Sequence, residues 1–346
     1  MSSRDESRLS VWSRRAISVP LTLLLAALAL VTVPLWAAFG FAWDALSGAI
    51  RKRPRTRALG FFALYLWCEA AGILAATVVW IVTAGGRIGG PLRWIELNAG
   101  LQRRWSDALF FGSRRLFSMT VSTEGLELAQ HGPFLLFVRH ASMADTVLAA
   151  AFVANPGKLL LRYVLKRELL WDPCLDIVGR RLPNAFVNRR GPGLDAEVAA
   201  VARLAEGLDA SSAVLIYPEG KRFNESRRAA AVRSLEEKGQ NDLVEIARGF
   251  RNVLPPRLRG PLALLDAAKG LDVVFMEHTG FEGAASLPQF WKGSLVGGTL
   301  RIRLRRIPAS TIPAEGRDRW LFERWAEMDR WISGVKAADP AGRSDS

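Results

Sequence analysis

Two long stretches of the chain are almost free of charge. From Ala16 to Trp43 there is no Asp, Glu, Lys or Arg, and from Ala58 to Gly86 the only such residue is Glu69. Roughly 20 apolar residues suffice for a helix to cross a bilayer, and each stretch is longer. Both are expected to be membrane helices. The first is too long for the apolar part of a cleaved signal sequence, roughly 7 to 15 residues, although Arg14 and Arg15 precede it as they would there. Pro34 would leave a backbone carbonyl without its helical partner, so a kink or a re-entrant hairpin is expected in this segment.

Beyond Gly86 the pattern changes to short apolar runs between amphipathic stretches: Phe134 to Val138, Thr146 to Val153, Lys158 to Val164, Leu194 to Leu208, Ala213 to Ile216 and Val273 to Phe275. Such alternation predicts an α/β domain, a mixed sheet flanked by helices. Asn224 to Arg251 is charged and helical in composition. Trp320 to Trp331 reads as an amphipathic helix, either packed on the domain or resting its aromatic rings at a membrane interface. The expected division is a basic N-terminal tail over 1–15, two membrane segments joined by a basic loop over 16–86, the α/β domain over 87–312, and an amphipathic helix with a disordered tail over 313–346.

Charge complicates the membrane picture. Half of the 346 residues are hydrophobic, yet the formal net charge is +14, so apolar and basic residues must be segregated. This excess suggests an anionic partner, whether nucleic acid, a lipid surface or a phosphorylated substrate. The loop Arg51-Lys52-Arg53-Pro54-Arg55-Thr56-Arg57 would lie across the membrane from Arg87, Arg93, Arg103 and Arg104 if both helices crossed fully, and both clusters cannot then obey the positive-inside rule. A hairpin dipping into one leaflet removes the conflict. The expected location is a membrane, integral or monotopic, with the working face toward the cytoplasm, of the inner membrane in a bacterium. Cys68 and Cys174 are too few for a disulfide framework.

Chemistry concentrates after the run Phe134-Leu135-Leu136-Phe137-Val138, a buried strand by composition that ends at Arg139-His140-Ala141-Ser142-Met143-Ala144-Asp145. On a continuous helix His140 and Asp145 would lie apart around the axis. A turn at Ser142 can instead bring the imidazole over the Asp. A carboxylate on one ring nitrogen fixes the tautomer, so the other nitrogen can take a proton from a hydroxyl; this is the His-Asp half of a triad, with the substrate's own hydroxyl in place of a serine. Such a pair is common by chance. Two further motifs accompany it: Ala185-Phe186-Val187-Asn188-Arg189, and Tyr217-Pro218-Glu219-Gly220-Lys221-Arg222-Phe223 after the run Ala213 to Ile216.

Taken in order, these blocks resemble the glycerolipid acyltransferase family, which includes the lysophosphatidic acid acyltransferases. His140 to Asp145 is similar to its His, four residues, Asp block. Lys166-Arg167-Glu168-Leu169 with Ala185 to Arg189 resembles the second block, whose arginine would be Arg189. Tyr217 to Arg222 resembles the third, and Leu254-Pro255-Pro256-Arg257-Leu258-Arg259-Gly260 the fourth, as in the branch containing lysocardiolipin acyltransferases. The resemblance covers roughly 133–280. It implies transfer of a fatty acyl group from acyl-CoA or acyl-carrier protein, as co-substrate and with no other cofactor, to the free hydroxyl of lysophosphatidic acid. Catalysis would fall to His140 and Asp145, and substrate binding to Arg189, Glu219, Gly220, Arg222 and Arg257. Guanidinium groups offer the planar fork that phosphate oxygens take, which suits Arg189 and Arg222. Arg257 could meet a phosphate or form a structural ion pair, and Glu219 could orient Arg222 or a glycerol hydroxyl, or brace the turn. Gly220 would give the backbone room.

Two departures bear on the substrate. Arg139 stands where the family often has Asn, and Lys221 where it usually has Thr; an added cation at each place is expected to favour a more anionic head group. His131 and His278 have no metal ligands at useful spacing, and no metal site is expected. No serine lies in a nucleophile elbow, so direct transfer is expected. The partners implied are membrane phospholipid, a lysophospholipid acceptor and the acyl thioester donor, without nucleic acid; the oligomeric state is open. Re-acylation of a mature lysophospholipid is the alternative activity. A nonenzymatic module binding anionic lipid or nucleic acid is the remote one, since it has no use for the His-Asp pair.

Overall fold

The computed structural model describes residues 6–142, 144–188 and 194–338. Three long helices come first: α1 (Arg8–Leu46), α2 (Pro54–Val82) and α3 (Gly90–Phe117). The α/β part follows in the order β1 (Thr120–Glu124), β2 (Phe134–Val138), a single turn α4 (Asn155–Gly157), β3 (Leu160–Lys166), α5 (Pro173–Ile177), β4 (Ala185–Val187), α6 (Leu194–Ala202) and β5 (Ser212–Ile216). Then come α7 (Glu225–Glu236), α8 (Asn241–Arg248), α9 (Arg259–Ala267), β6 (Asp272–Thr279), α10 (Leu287–Trp291), β7 (Thr299–Ile307) and α11 (Arg317–Ala338).

The apolar stretches form α1 and α2, with boundaries shifted from the sequence reading. Helix α1 begins at Arg8, inside the segment expected as a tail, because the Ser7 side chain accepts from Ser10 N at 3.2 Å and caps the first turn. It runs on through Pro20 and Pro34 as one element. Four residues of the expected basic loop, Pro54 to Arg57, are instead the first turn of α2. Pro54 costs nothing there, since its missing N–H falls among the helix's unpaired donors. Asp44 of α1 serves the remaining donors: Oδ1 accepts from Arg55 N at 3.1 Å, and Oδ2 from Thr56 N at 3.0 Å and Thr56 Oγ1 at 2.8 Å. Gly40 lets the helices touch at this corner, because a Cβ there would lie 2.9 Å from Thr56 Cα.

This hairpin contacts the rest of the chain along its whole length. At the start of α1, Arg14 and Arg15 bind the fully buried Asp176 of α5 at 2.8 and 2.6 Å. In the middle of α2, Glu69 accepts from Trp105 Nε1 at 3.0 Å and Cys174 N at 3.3 Å. Near the hairpin tip, Trp43 packs edge-on against Trp291, Phe61 meets Phe290 with ring centres 5.3 Å apart, and Arg57 donates to Leu116 O and Ser118 Oγ. Arg15 and Trp43 are roughly 42 Å apart along a helix rising 1.5 Å per residue. Both ends of α1 therefore lie against one body. Between them Leu21, Leu24, Leu28, Val31 and Leu35 stay exposed.

Among the described residues there is one seven-stranded sheet, ordered β1-β7-β6-β2-β5-β3-β4. Strands β6, β2, β5, β3 and β4 run parallel, while β7 is antiparallel to β6 and parallel to β1. The run read as a buried strand, β2, lies between β5 and β6 with every residue buried. Successive side chains point to opposite faces: Phe134, Leu136 and Val138 join a core with Phe110 and Phe117 of α3, and Leu135 and Phe137 join another with residues of α8, α9 and α11. Helices thus cover both faces. The segment expected as a C-terminal amphipathic helix is α11, and its aromatic residues do not rest at an interface. Trp320, Phe322, Trp325 and Met328 are buried in the core on the second face of the sheet, together with residues of β6, α8 and α9. The expected tail beyond Ala338 lies outside the described residues.

Candidate active site

The chain passes between β5 and β6 from one side of β2 to the other, so the carboxyl end of β2 is a topological switch point, where a crevice opens in sheets of this kind. His140 stands at that place. Arg139 N continues the ladder by bonding Met276 O at 3.2 Å, and the chain then leaves the sheet. His140 N donates to Glu219 Oε1 at 2.8 Å, and His140 O accepts from Phe223 N at 3.1 Å, which ties the turn to the segment after β5.

Asp145 lies in a 3-10 turn, Ala144–Val147, with its carboxylate turned back under the histidine. Oδ2 accepts from Ala141 N at 2.6 Å and Ser142 N at 2.7 Å, and it meets His140 Nδ1 at 3.3 Å; Oδ1 accepts from Ser142 Oγ at 2.8 Å. Full burial opposes its ionisation. The neighbouring imidazoles His278 and His140 and the Ser142 N–H outweigh burial, so the carboxyl lies below its ordinary value and Asp145 is a carboxylate at neutral pH. Tyr217 closes the rear of the site. Its hydroxyl donates to Asp145 O at 3.2 Å, and its ring lies 4.9 Å from the His140 ring. His140 is the partly exposed member, with 16% of its side chain accessible. With Nδ1 committed to the carboxylate, Nε2 is the nitrogen left for a substrate.

Residues 120–255 match a family model described as Acyltransferase, a span that contains β1 to β5, the His140 turn and Glu219. Over this span the chain carries an acyltransferase domain. No curated protein matches it. Among solved structures it is similar to the crystal structure of the 1-acyl-sn-glycerophosphate (LPA) acyltransferase, PlsC, from Thermotoga maritima, at 17% identity and a TM-score of 0.45, over 84% of this chain and 100% of that one.

The candidate site brings together His140, Asp145, Glu219 and Gly220 of the residues singled out from sequence. Glu219 braces the fold and does not orient Arg222: its Oε1 holds His140 N and its Oε2 holds Leu254 N, each at 2.8 Å. Burial drives its carboxyl up to about 8, against the opposing pull of Arg139 and the two N–H donors. Gly220, at φ +67, closes a turn with its N–H on Tyr217 O at 3.0 Å. Arg222 is half-buried and reaches Ala285 O at 3.3 Å. Arg257 is exposed, and its N–H donates to Pro218 O at 2.8 Å, which holds the fourth block beside the third. Arg189 lies outside the described residues. An open cavity of about 490 Å³ lies toward β3 and β4, lined by residues including Ser10, Arg14, Arg167, Trp171 and Asn188.

Arg139 corrects an expectation. It is fully buried among protein groups: Nη1 donates to His278 O at 2.5 Å and Glu282 Oε1 at 2.7 Å, and Nη2 to Asn252 O at 2.8 Å. A guanidinium with no exposed surface, bonded to Glu282 and two backbone carbonyls, is closed to a head group. Lys221, the other departure, is exposed. His278, which was read as an ordinary residue, belongs to the site, with Nε2 donating to Arg139 O at 3.1 Å and lying 3.8 Å from Asp145 Oδ2. The signal for it was a Glu-His pair closing an apolar run; the adjacency of β6 to β2 was not visible in the spacing.

Proposed function

We propose that the chain transfers a fatty acyl group from an acyl thioester, acyl-CoA or acyl-carrier protein, to the free hydroxyl of lysophosphatidic acid, giving phosphatidic acid. The observation that carries this reading is the contact of His140 Nδ1 with Asp145 Oδ2, which leaves Nε2 as the ring nitrogen available to a substrate. Nε2 takes the acceptor's hydroxyl proton as that oxygen attacks the thioester carbonyl. The tetrahedral intermediate then collapses, the C–S bond breaks, and the imidazolium returns its proton to the departing thiolate. Asp145 stabilises the imidazolium between these steps and does not itself take the proton. Arg222 and Arg257 are assigned to phosphate binding, together with Arg189.

The hairpin is assigned to one leaflet of a membrane. Two helices long and apolar enough to cross a bilayer support an embedded chain. Full crossing would carry the hairpin tip some 30 Å from the side on which it began. Contacts of Arg15 with Asp176 and of Trp43 with Trp291 instead hold both ends of α1 against the catalytic domain, which supports a helix lying along the surface of the bilayer. A label introduced at Lys52 should be reachable from the same side as the catalytic domain and from that side alone.

Purified protein in phospholipid vesicles, offered labelled donors and a panel of lyso-acceptors, tests the activity by mass spectrometry of the products. Phosphatidic acid is expected from lysophosphatidic acid, and His140→Ala should remove it while leaving vesicle binding intact. Full transfer by that variant would reject the mechanism. Faster turnover of another lysophospholipid would favour the remodelling activity suggested by the block Leu254 to Gly260.

A further inference from the structure

His278 is bonded to Arg139 from both directions. Its ring Nε2 donates to the Arg139 carbonyl at 3.1 Å, and its own carbonyl accepts from Arg139 Nη1 at 2.5 Å. The same guanidinium is held by Glu282, whose other oxygen accepts Gly280 N at 2.7 Å, and by Asn252 O. The result is a closed set of bonds between β6, the segment after it and the residue preceding His140. His278 is completely buried, and its Nδ1 has no hydrogen-bond partner among the described residues. The ring therefore carries its proton on Nε2, as the Arg139 carbonyl requires.

The carbonyl held by His278 belongs to the peptide group whose N–H, on His140, is held by Glu219. One peptide plane is thus gripped on both sides, at its oxygen by an imidazole and at its N–H by a carboxyl oxygen. The direction in which the His140 side chain leaves the backbone follows from that plane, and Asp145 grips the far end of the same side chain. Without the His278 donor, the plane can rock about the Glu219 bond and carry Nε2 out of line with the attacking oxygen. An error of about 1 Å in such a position can cost roughly 100-fold in rate.

We infer that His278, backed by Arg139 and Glu282, is a positioning residue of the acyl transfer: it fixes the peptide plane from which the base His140 projects. The inference rests on His140 being that base, so His140→Ala measured alongside separates a failure of that reading from a failure of this one. The test is steady-state kinetics of full-length protein in vesicles, with both substrates varied, on His278→Leu, His278→Gln and His278→Asn. The Gln amide nitrogen can stand where Nε2 stands and the Asn nitrogen cannot reach it. His278→Leu and His278→Asn should lose roughly 10- to 100-fold in kcat with KM for both substrates within about twofold, and His278→Gln should return to within about threefold of the original. A folded Leu variant with more than half of the original kcat, or Gln and Asn variants of equal kcat, would overturn the inference. So would a change confined to KM. If the Leu variant does not fold, the comparison of Gln with Asn decides alone.

Discussion

Replacing Asp145 by Asn removes a charge while keeping most of the bonds that shape the turn. One amide oxygen can still accept from Ala141 N and Ser142 N, which now share Oδ2, and the amide nitrogen can face Ser142 Oγ, which can accept as well as donate. The attraction between the carboxylate and the imidazolium that forms when His140 takes a proton is lost. With Nδ1 and Oδ2 at 3.3 Å, the charge centres lie about 4 Å apart, and at an effective dielectric constant of about 20 the attraction amounts to roughly 4 kcal/mol. Each 1.4 kcal/mol is about tenfold in rate, so kcat should fall roughly 100- to 1,000-fold. Loss of charge-assisted bonds to a buried group should also lower stability by roughly 1–3 kcal/mol, so rates must be taken well below the variant's Tm. Vesicle assays over a range of acceptor concentrations, with Tm followed by intrinsic fluorescence, give both quantities. A folded Asp145→Asn protein with kcat within threefold of the original would refute the assignment of Asp145 as the partner of the base.

Two further predictions concern the support around the site. Burial disfavours the Glu282 carboxylate, but Arg139 and Lys336 draw its pKa far below the ordinary 4.5. The folded state then binds fewer protons than the unfolded one, so this contribution is complete above pH 4.5 and drains away as pH falls toward the folded value. Glu282→Gln should lose roughly 1–3 kcal/mol at neutral pH and show a flatter decline of Tm between pH 4.5 and 2.5, and parallel declines for the two proteins would exclude it. Trp325 has no exposed surface and packs edge-on against Phe275, with ring centres 6.0 Å apart. Trp325→Ala should cost roughly 3–5 kcal/mol of stability while vesicle flotation stays unchanged; weaker flotation with an unaltered Tm would return α11 to the membrane surface.

What could be read from the sequence follows from how each part is stabilised. Strands β2 and β5 are buried at every residue and show as apolar runs, and β6 is marked by the run Val273 to Met276. Strand β7 alternates Leu300, Ile302 and Leu304 with Arg301, Arg303 and Arg305, a period-2 pattern that a search for apolar runs passes over. It buries Leu300, Ile302 and Leu304 in the core on one face and pairs charges across the antiparallel register on the other, with Arg303 and Arg305 reaching the buried Glu277 at 2.6 Å each; Arg306 reaches Asp272 at 2.7 Å. Strand β1, Thr-Val-Ser-Thr-Glu, is an edge strand with little apolar character, so it was equally hidden.

The same contrast runs through the site. His140 and Asp145 could be paired from sequence because they are five residues apart and the turn between them is local. Arg139 invited the opposite error: a cation next to a catalytic histidine suggests an anionic ligand, and only the sheet reveals that its partners are protein groups. Glu282 is 143 positions away and meets Arg139 because β6 lies beside β2. A guanidinium buried at that place requires a carboxylate to balance it and carbonyls for its remaining donors. Glu282, His278 O and Asn252 O supply them, so Arg139 stabilises the protein beneath His140, whereas Arg222 and Arg257 keep some exposure.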